Sequence, residues 1–154
     1  MELDSLLPAL HRIPLNKRIC VLAAHALGNE GKENALLIGP AGVGKSHLAQ
    51  ALGERACRAG YNVQYVAAHR MLTTLRAARA DQSYDRKLLR FTAPDLLIVD
   101  DLGLRPLEAD EPIDLYEVIR QRYERGAMVI TSNRVLEEWY RLFPEQPFLR
   151  YPYG

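Results

Sequence analysis

The chain has 154 residues with 48% hydrophobic content, which suits a single globular domain and excludes a disordered chain. Its formal net charge of +1 excludes a protein that binds polyanions through overall charge, so any nucleic-acid surface must come from local clustering. Its cysteines, Cys20 and Cys57, lack metal-ligand spacing and are too few for a disulfide scaffold. Without a long apolar run or a signal-peptide start, the sequence predicts a soluble cytoplasmic protein and no membrane partner.

Helical and strand patterns alternate along the chain from residue 15 onward. Apolar residues at helical spacing predict helices, and short apolar or β-branched runs next to Gly or Pro predict strands. The predicted helices span residues 15–27, 45–59, 69–79, 84–90, 113–125 and 135–142. The predicted strands span residues 35–39, 62–67, 96–99 and 127–133. In the helix 113–125, Leu115, Ile119 and Tyr123 have the spacing of a buried stripe.

This alternation predicts an α/β fold with a parallel sheet flanked by helices. We expect residues 1–30 to form a helical lead-in, residues 31–143 the core, and residues 144–154 an irregular tail without periodicity. In such sheets, ligands bind at the carboxyl ends of the strands. Three of the predicted strands end in polar clusters, which are residues 39–46, 100–101 and 132–133. The sequence therefore predicts one site at that rim of the sheet.

The first cluster is a phosphate-binding loop of sequence GPAGVGKS, which matches the pattern G-x-x-x-x-G-K-[ST]. Gly42 and Gly44 permit positive φ, so successive N–H groups can converge on phosphates at a helix N-terminus. The Lys45 amine can neutralise the β- and γ-phosphates, and the Ser46 hydroxyl can ligate Mg²⁺. The predicted nucleotide-binding residues are Gly39, Pro40, Ala41, Gly42, Val43, Gly44, Lys45, Ser46 and His47. His47 is given no catalytic role.

The other two clusters supply groups for magnesium and for water. Asp100 and Asp101 follow four apolar residues, which is the Walker B arrangement. Asp100 is expected to hold Mg²⁺, and Asp101 to orient or deprotonate the attacking water. Asn133 can donate to the γ-phosphate and accept from that water. Ser132 is interpreted as a cap or turn residue. Asp101, Lys45 and Asn133 are thus the predicted catalytic residues.

These motifs resemble IstB, the ATP-binding helper of a transposase, which belongs with DnaC-type helicase loaders in the AAA+ superfamily. The stretches that carry the resemblance are NALLIGPAGVGKSHLAQALGERACRAGYNVQYV, DLLIVDDLG, RYERGAMVITSNR and EEWYRLF, within residues 15–147. The resemblance implies an AAA+ P-loop core with ATP and Mg²⁺, in which residues 39–46 are Walker A, Asp100 and Asp101 Walker B, and Asn133 sensor 1. It also implies ATP-dependent assembly on DNA as a homo-oligomer that assists a transposase.

The chain departs from this family pattern at both ends. The resemblance implies an N-terminal partner-docking segment, an arginine finger, a last strand and a C-terminal lid, and the sequence contains none of these patterns. We therefore expect a truncated core in which the strand 35–39 has an exposed apolar edge, because the last strand would pair there.

A basic segment spans residues 69–90 and holds six basic and two acidic residues. Its basic residues are Arg70, Arg76, Arg79, Arg86, Lys87 and Arg90. They can form an ordinary solvated helix face, but the resemblance favours DNA contacts without base readout. The leading hypothesis is an IstB-like ATPase that couples ATP to DNA binding and transposase assistance. The alternatives are a DnaC-like helicase loader, a remnant that binds ATP without efficient hydrolysis, and a small-molecule kinase, which the absence of an arginine-rich lid pattern disfavours.

Overall fold

The fold is built on one five-stranded sheet with helices on both faces. The computed structural model describes residues 34–142 and the backbone of residues 20–22. The strands are β1 (Cys20–Leu22), β2 (Ala35–Ile38), β3 (Val63–Ala67), β4 (Leu96–Leu102) and β5 (Ala127–Ser132). The helices are α1 (Lys45–Arg58), α2 (Ala68–Ala80), α3 (Tyr84–Thr92), α4 (Glu111–Arg122) and the 3₁₀ helix Leu136–Leu142. None of these described helices is long and apolar enough to span a membrane.

The predicted elements between residues 35 and 142 are confirmed, with shifts of a few residues at their ends. The strand order is β1-β2-β5-β4-β3, and β2, β5, β4 and β3 run parallel. The predicted α/β class and parallel sheet are therefore confirmed. The main difference in length is at β4, which continues three residues past the predicted end and includes both acids of the Asp-Asp pair.

The lead-in segment corrects two of the predictions. Cys20–Leu22 form a strand inside the range predicted as helix 15–27, so that helix is wrong at these three residues. The remaining residues of the predicted helix, and the predicted tail 144–154, lie outside the described residues. Strand β1 pairs antiparallel with β2, with Leu22 opposite Leu36. The edge of β2 is therefore paired rather than exposed, because an upstream segment supplies its hydrogen-bond partners.

The core has two layers, one on each face of the sheet, because successive residues of β4 point to opposite faces. Ile98 packs towards α1, where Ala49 is fully buried. Val99 packs into the layer of α2, α3 and α4, together with Leu115. A Cβ on Gly53 would lie 2.7 Å from Cδ1 of Ile98. This glycine therefore allows α1, which carries the phosphate loop, to lie close against the sheet.

The buried face of α4 differs from the predicted stripe. Leu115 is buried as predicted, but Ile119 is 41% and Tyr123 67% exposed. Val118 and Arg122 take the buried positions, and the helix ends at Arg122. The apolar spacing did not anticipate this face because a charged residue with backbone partners occupies part of it.

Candidate nucleotide site

The phosphate loop connects β2 to α1 in the conformation that its glycines permit. Gly42 has a φ of 78° and Gly44 a φ of 98°, which are left-handed values that other residues rarely adopt. Gly44 is the N-cap of α1, and no side chain caps the helix or adds an acid to its first turn. The N–H groups and the positive dipole end of α1 therefore face the loop, as an anion site requires. The Gly39 N–H donates to the Ser132 carbonyl at 3.2 Å, which ties the loop to β5.

The Lys45 side chain lies inside this loop and is only 6% exposed. Its Nζ donates to the carbonyls of Gly39 and Pro40, each at 2.8 Å. Burial lowers the pKa of the amine, while the nearby carboxylates of Asp101 and Asp100 oppose this shift. The predicted phosphate-binding amine and both predicted acids are thus close enough to interact.

Asp100 is the centre of a cluster of hydroxyl groups at the carboxyl end of β4. Its carboxylate is 7% exposed and accepts hydrogen bonds from Ser46 Oγ at 3.0 Å, from Tyr65 Oη and from Thr131 Oγ1. Burial raises the pKa of Asp100, but the hydrogen bonds from Thr131, Tyr65 and Ser46 outweigh it, and the net pKa lies below the ordinary value. The carboxylate is therefore ionised at neutral pH.

The two predicted magnesium ligands, Ser46 and Asp100, fit that ion. Their oxygens converge at 3.0 Å, and Mg²⁺ prefers one or two hard oxygen ligands from the protein and retains several waters. Among the described residues, no group of three or more His, Cys, Asp or Glu side chains could hold a metal ion.

Asp101 and Asn133 lie at the same rim of the sheet. Asp101 is half-buried and has a φ of 58°, and its N–H donates to Thr131 Oγ1 at 2.8 Å. Asn133 follows β5 directly and is half-buried. Ser132 is the last residue of β5, and its hydroxyl donates to the Leu102 carbonyl at 2.7 Å and accepts from the Arg134 N–H, in the bend after the strand, at 3.2 Å. His47 is exposed on the first turn of α1.

Comparisons with known families decide the relationship. The family described as IstB-like ATP binding protein matches residues 15–150 of this chain.

The chain belongs to the IstB-like ATP binding protein family.

Its relatives come from bacterial insertion sequences. A Geobacillus stearothermophilus protein, named as the ATP-binding protein of insertion sequence IS5376, is 38% identical over 70% of this chain and 43% of its own length. A Mycobacterium tuberculosis protein, named as an ATP-binding protein in an insertion sequence, is 42% identical over 73% of this chain and 45% of its own length. The IstB-like chain therefore spans a little under half the length of these curated relatives.

Solved structures share the fold. DnaA from Aquifex aeolicus bound to AMPPCP superposes with a TM-score of 0.66 at 23% identity, over 80% of this chain and 39% of that chain. The DnaC helicase loader superposes with a TM-score of 0.56 at 22% identity, over 73% of this chain and 64% of that chain. At these identities the likeness shows the fold alone, which is an α/β fold with a parallel sheet flanked by helices.

Two residues of the site were not predicted from the IstB-like sequence. Tyr65 lies in the predicted strand 62–67, and the strand pattern assigns it no role in the site. In the structure its hydroxyl donates to Asp100. Burial, together with the hydrogen bond to Asp100, raises the pKa of Tyr65 to about 12, so the phenol remains a donor at neutral pH. Thr131 belongs to the polar end of β5, but it was given no role of its own. Both residues lie more than 30 positions from Asp100 in the sequence. Strand periodicity shows which face a residue points to, but it does not show which residue of another strand it contacts.

The six predicted DNA-contacting residues divide into two groups in the structure. Arg79 pairs with the buried carboxylate of Asp114 at 2.5 Å, and Arg76 lies 4.0 Å from Glu108. These two arginines are therefore partly engaged within the chain. Among residues 34–142, no salt bridge within 4.0 Å involves the other four, which are Arg70, Arg86, Lys87 and Arg90.

A cleft lies beside the edge strand β3 and has a volume of about 430 Å³. Arg70 of α2 and Arg90 of α3 line it, together with Tyr65 and Thr74. The two guanidinium groups and the Thr74 hydroxyl at this cleft are groups that bind phosphate oxygens. Within the basic segment, this cleft is therefore the strongest candidate for a nucleic-acid contact.

Proposed function

We propose that this IstB-like chain binds ATP with Mg²⁺ at residues 39–46 and hydrolyses it. The observation that carries the proposal is the convergence of three groups at one rim: the uncapped N-terminus of α1, the buried amine of Lys45, and the Ser46–Asp100 pair. The first two suit phosphates, and the last suits a hard cation.

The residues divide the chemistry between them. The N–H groups of residues 39–46 and the Lys45 amine bind and neutralise the phosphate oxygens. Ser46 and Asp100 would hold Mg²⁺, which supplies positive charge to the β- and γ-phosphates when bound. With ATP bound here, the acids at the end of β4 would lie at the same rim of the sheet as its phosphates.

We assign hydrolysis to Asp101 and to the side-chain amide of Asn133. Asp101 orients a water and accepts its proton as the water oxygen bonds to the γ-phosphorus, and the bond to the bridging oxygen of ADP breaks. Asn133 donates to a γ-phosphate oxygen. The left-handed backbone at Asp101 supports this role, because it turns the residue out of the regular strand at the rim.

Nucleotide binding is tested by Lys45→Ala. We expect ATP affinity, measured by isothermal titration calorimetry with Mg²⁺, to fall about 10²-fold because a charge-assisted phosphate contact is lost. Lys87→Ala is the matched control, since it removes a lysine on α3, and its ATP affinity should equal that of the unaltered chain. Equal affinities of the Lys45→Ala and Lys87→Ala variants would refute the phosphate site.

Hydrolysis is tested separately by Asp101→Asn, which keeps the shape of the side chain and removes the base. Phosphate release should fall about 10²-fold while ATP affinity stays within threefold. An unaltered chain that binds ATP without measurable phosphate release would support the alternative of an ATP-binding protein without efficient hydrolysis.

We further propose that the chain binds DNA without base readout and assists the transposase of its own insertion sequence. The names of relatives at 38% and 42% identity support the insertion-sequence role over helicase loading. The cleft with Arg70 and Arg90 supports the DNA contact. A homo-oligomer on DNA is proposed from the family resemblance.

The DNA contact is tested by the double variant Arg70→Ala/Arg90→Ala. The association constant K for a fluorescent DNA oligonucleotide should fall. The negative slope of log K against log salt concentration should decrease in magnitude by about two, one for each phosphate contact. The control is Arg55→Ala/Arg58→Ala, which removes two arginines from the end of α1. Equal losses in both double variants would assign binding to overall charge rather than to the cleft.

A further inference from the structure

Strand β4 contains a bulge at the two acids of the candidate site. Its parallel pairing with β5 is regular up to Val99 opposite Ile130, and it resumes at Leu102 opposite Ser132. Between these pairs β4 has one residue more than β5, so the β4–β5 ladder does not pair both acids, although Asp100 is paired with Ala67 of β3. Asp101 has a φ of 58° within the bulge, a conformation that costs free energy for a residue other than glycine. The surrounding structure must therefore hold this segment.

Thr131 supplies the contacts that the interrupted ladder lacks. Its Oγ1 accepts the Asp101 N–H at 2.8 Å and donates to Asp100 Oδ1. The side chain is fully buried, with 0% of its surface exposed. A hydroxyl has one proton, so Thr131 gives that proton to the carboxylate of one acid and its lone pair to the backbone of the next. One side chain thus fixes the backbone of Asp101 and the carboxylate orientation of Asp100.

The other hydroxyls at the site do not have this double contact. Ser46 and Tyr65 also donate to Asp100, but no hydrogen bond joins either side chain to Asp101. Ser132 donates to the Leu102 carbonyl, after the bulge has ended. Thr131 is therefore the side chain that links the two acids to each other through β5.

We propose that Thr131 is the positioning residue that sets the mutual geometry of Asp100 and Asp101. It acts through both acids, so it couples the residue that would hold Mg²⁺ to the residue that orients water. This inference rests on the proposed ATP binding and hydrolysis. Loss of the hydroxyl removes the acceptor of the Asp101 N–H and leaves Ser46 as the side-chain donor to Asp100 Oδ1. Small displacements of such groups are costly, because a shift of about 1 Å can slow a reaction about 10²-fold.

The test compares Thr131→Val, which keeps the shape and removes both hydrogen bonds, with Thr131→Ser, which keeps the hydroxyl. For Thr131→Val we expect kcat to fall about 10²-fold and the gain in ATP affinity on adding Mg²⁺ to fall about tenfold. ATP affinity without Mg²⁺ should stay within threefold, because the loop and Lys45 are unchanged. The Thr131→Ser variant should recover kcat and the Mg²⁺-dependent gain to within about threefold.

Two controls separate this role from a general loss of structure. Thr92→Val removes a hydroxyl that bonds to the Leu88 carbonyl within α3, and it should leave kcat and ATP affinity unchanged. Thr131→Ala provides a second hydroxyl-free variant if Thr131→Val does not give a cooperative thermal transition, and the same kinetic loss is expected from it.

The outcomes distinguish the inference from the proposed function. An unaltered chain that binds no ATP would refute both. An unaltered chain with Mg²⁺-dependent ATP affinity that Thr131→Val leaves intact would refute the positioning role alone. Equal losses of kcat and of Mg²⁺-dependent ATP affinity in Thr131→Ser and Thr131→Val would also overturn it. Such losses would come from changed packing rather than from the missing hydroxyl. The Mg²⁺-dependent affinity does not require turnover, so it tests the inference even in a chain that hydrolyses ATP slowly.

Discussion

Buried charged side chains lie at both the amino ends and the carboxyl ends of β4 and β5. The hydrogen-bond partners of these side chains differ between the two ends. At the amino ends, the Arg122 side chain is 1% exposed and is surrounded by backbone carbonyls. At the carboxyl ends, Asp100 is bonded by three side-chain hydroxyls, and Lys45 by carbonyls of the phosphate loop. The first arrangement stabilises the fold, whereas the second leaves groups that suit a ligand.

The amino-end network is a fixed part of the scaffold. Arg122 donates to the carbonyls of Pro94 at 2.8 Å and Ala127 at 2.7 Å, and also to those of Phe91, Thr92 and Asp95. These carbonyls precede or begin β4 and β5, and the Asp95 carbonyl also accepts the Ala127 N–H at 2.9 Å. Burial lowers the pKa of the guanidinium, and Asp95 opposes this shift. The network therefore joins the end of α4 to the start of two strands.

The largest effect is expected from removing this network. Arg122→Met retains much of the side-chain length and removes the guanidinium donor from five carbonyls, of which Asp95 keeps the Ala127 N–H, so we expect the free energy of unfolding to fall by about 3 kcal/mol. Urea unfolding followed by circular dichroism measures it. Arg120→Met is the control on the same helix, because Arg120 is 57% exposed and pairs with Glu117 at the surface. It should cost less than about 1 kcal/mol. Similar losses in both variants would remove the distinction between the two sites.

A smaller, pH-dependent effect is expected at the carboxyl end, where Arg105 anchors the loop after β4 to Glu111. The two guanidinium nitrogens lie 2.8 Å from the two carboxylate oxygens. The hydrogen bonds from Arg105 hold the pKa of the buried Glu111 carboxyl below its ordinary value of 4.5, against the effect of burial. A carboxyl with a lowered folded-state pKa stabilises the protein above the unfolded-state pKa, and this contribution is lost as pH falls through the folded-state value.

The variant Glu111→Gln removes this titration. We expect it to lower the free energy of unfolding by about 1–2 kcal/mol at pH 7, less than a fully buried pair would cost because Arg105 is 42% exposed. The difference from the unaltered chain should shrink as the pH is lowered below 4.5. Urea unfolding at several pH values measures this. Glu117→Gln, whose partner Arg120 is exposed, is the control and should show a much smaller difference. A pH-independent loss would attribute the effect to packing.

The smallest effect is expected from Tyr65→Phe, which removes one of the three donors to Asp100 and keeps the ring. Because the ring is 39% exposed and Ser46 and Thr131 still bind Asp100, the free energy of unfolding should change by about 0.5–1 kcal/mol. ATP affinity with Mg²⁺, measured by calorimetry, should stay within threefold. A loss greater than tenfold would show that the carboxyl end depends on each donor as strictly as the amino end depends on Arg122.

The local parts of the site were predictable from sequence, because neighbouring residues determine them. The phosphate loop is defined by the glycines and by Lys45 and Ser46 within eight positions, and the alternating pattern predicted the parallel sheet. Tyr65 and Thr131 were not predictable in this way, since their contacts with Asp100 depend on how strands pack side by side. The predicted roles of Asp101, Asn133 and the basic residues stay predictions.

The remaining errors have related physical causes. The face of α4 was misassigned because apolar spacing treats arginine as a surface residue, and the carbonyls that bury Arg122 come from distant segments. The strand Cys20–Leu22 was predicted as helix because three residues give little periodicity of their own. Their pairing with β2 overrides the local helical preference.

The pairing of β1 with β2 also affects how the phosphate loop is held. Strand β2 has only four residues, yet it is bonded by β1 on one side and by β5 on the other. Movement of β2 relative to the acids would require slippage of two ladders at once. When a triphosphate binds, the loop and the side chains around it can then adjust while strand β2 keeps its position in the sheet.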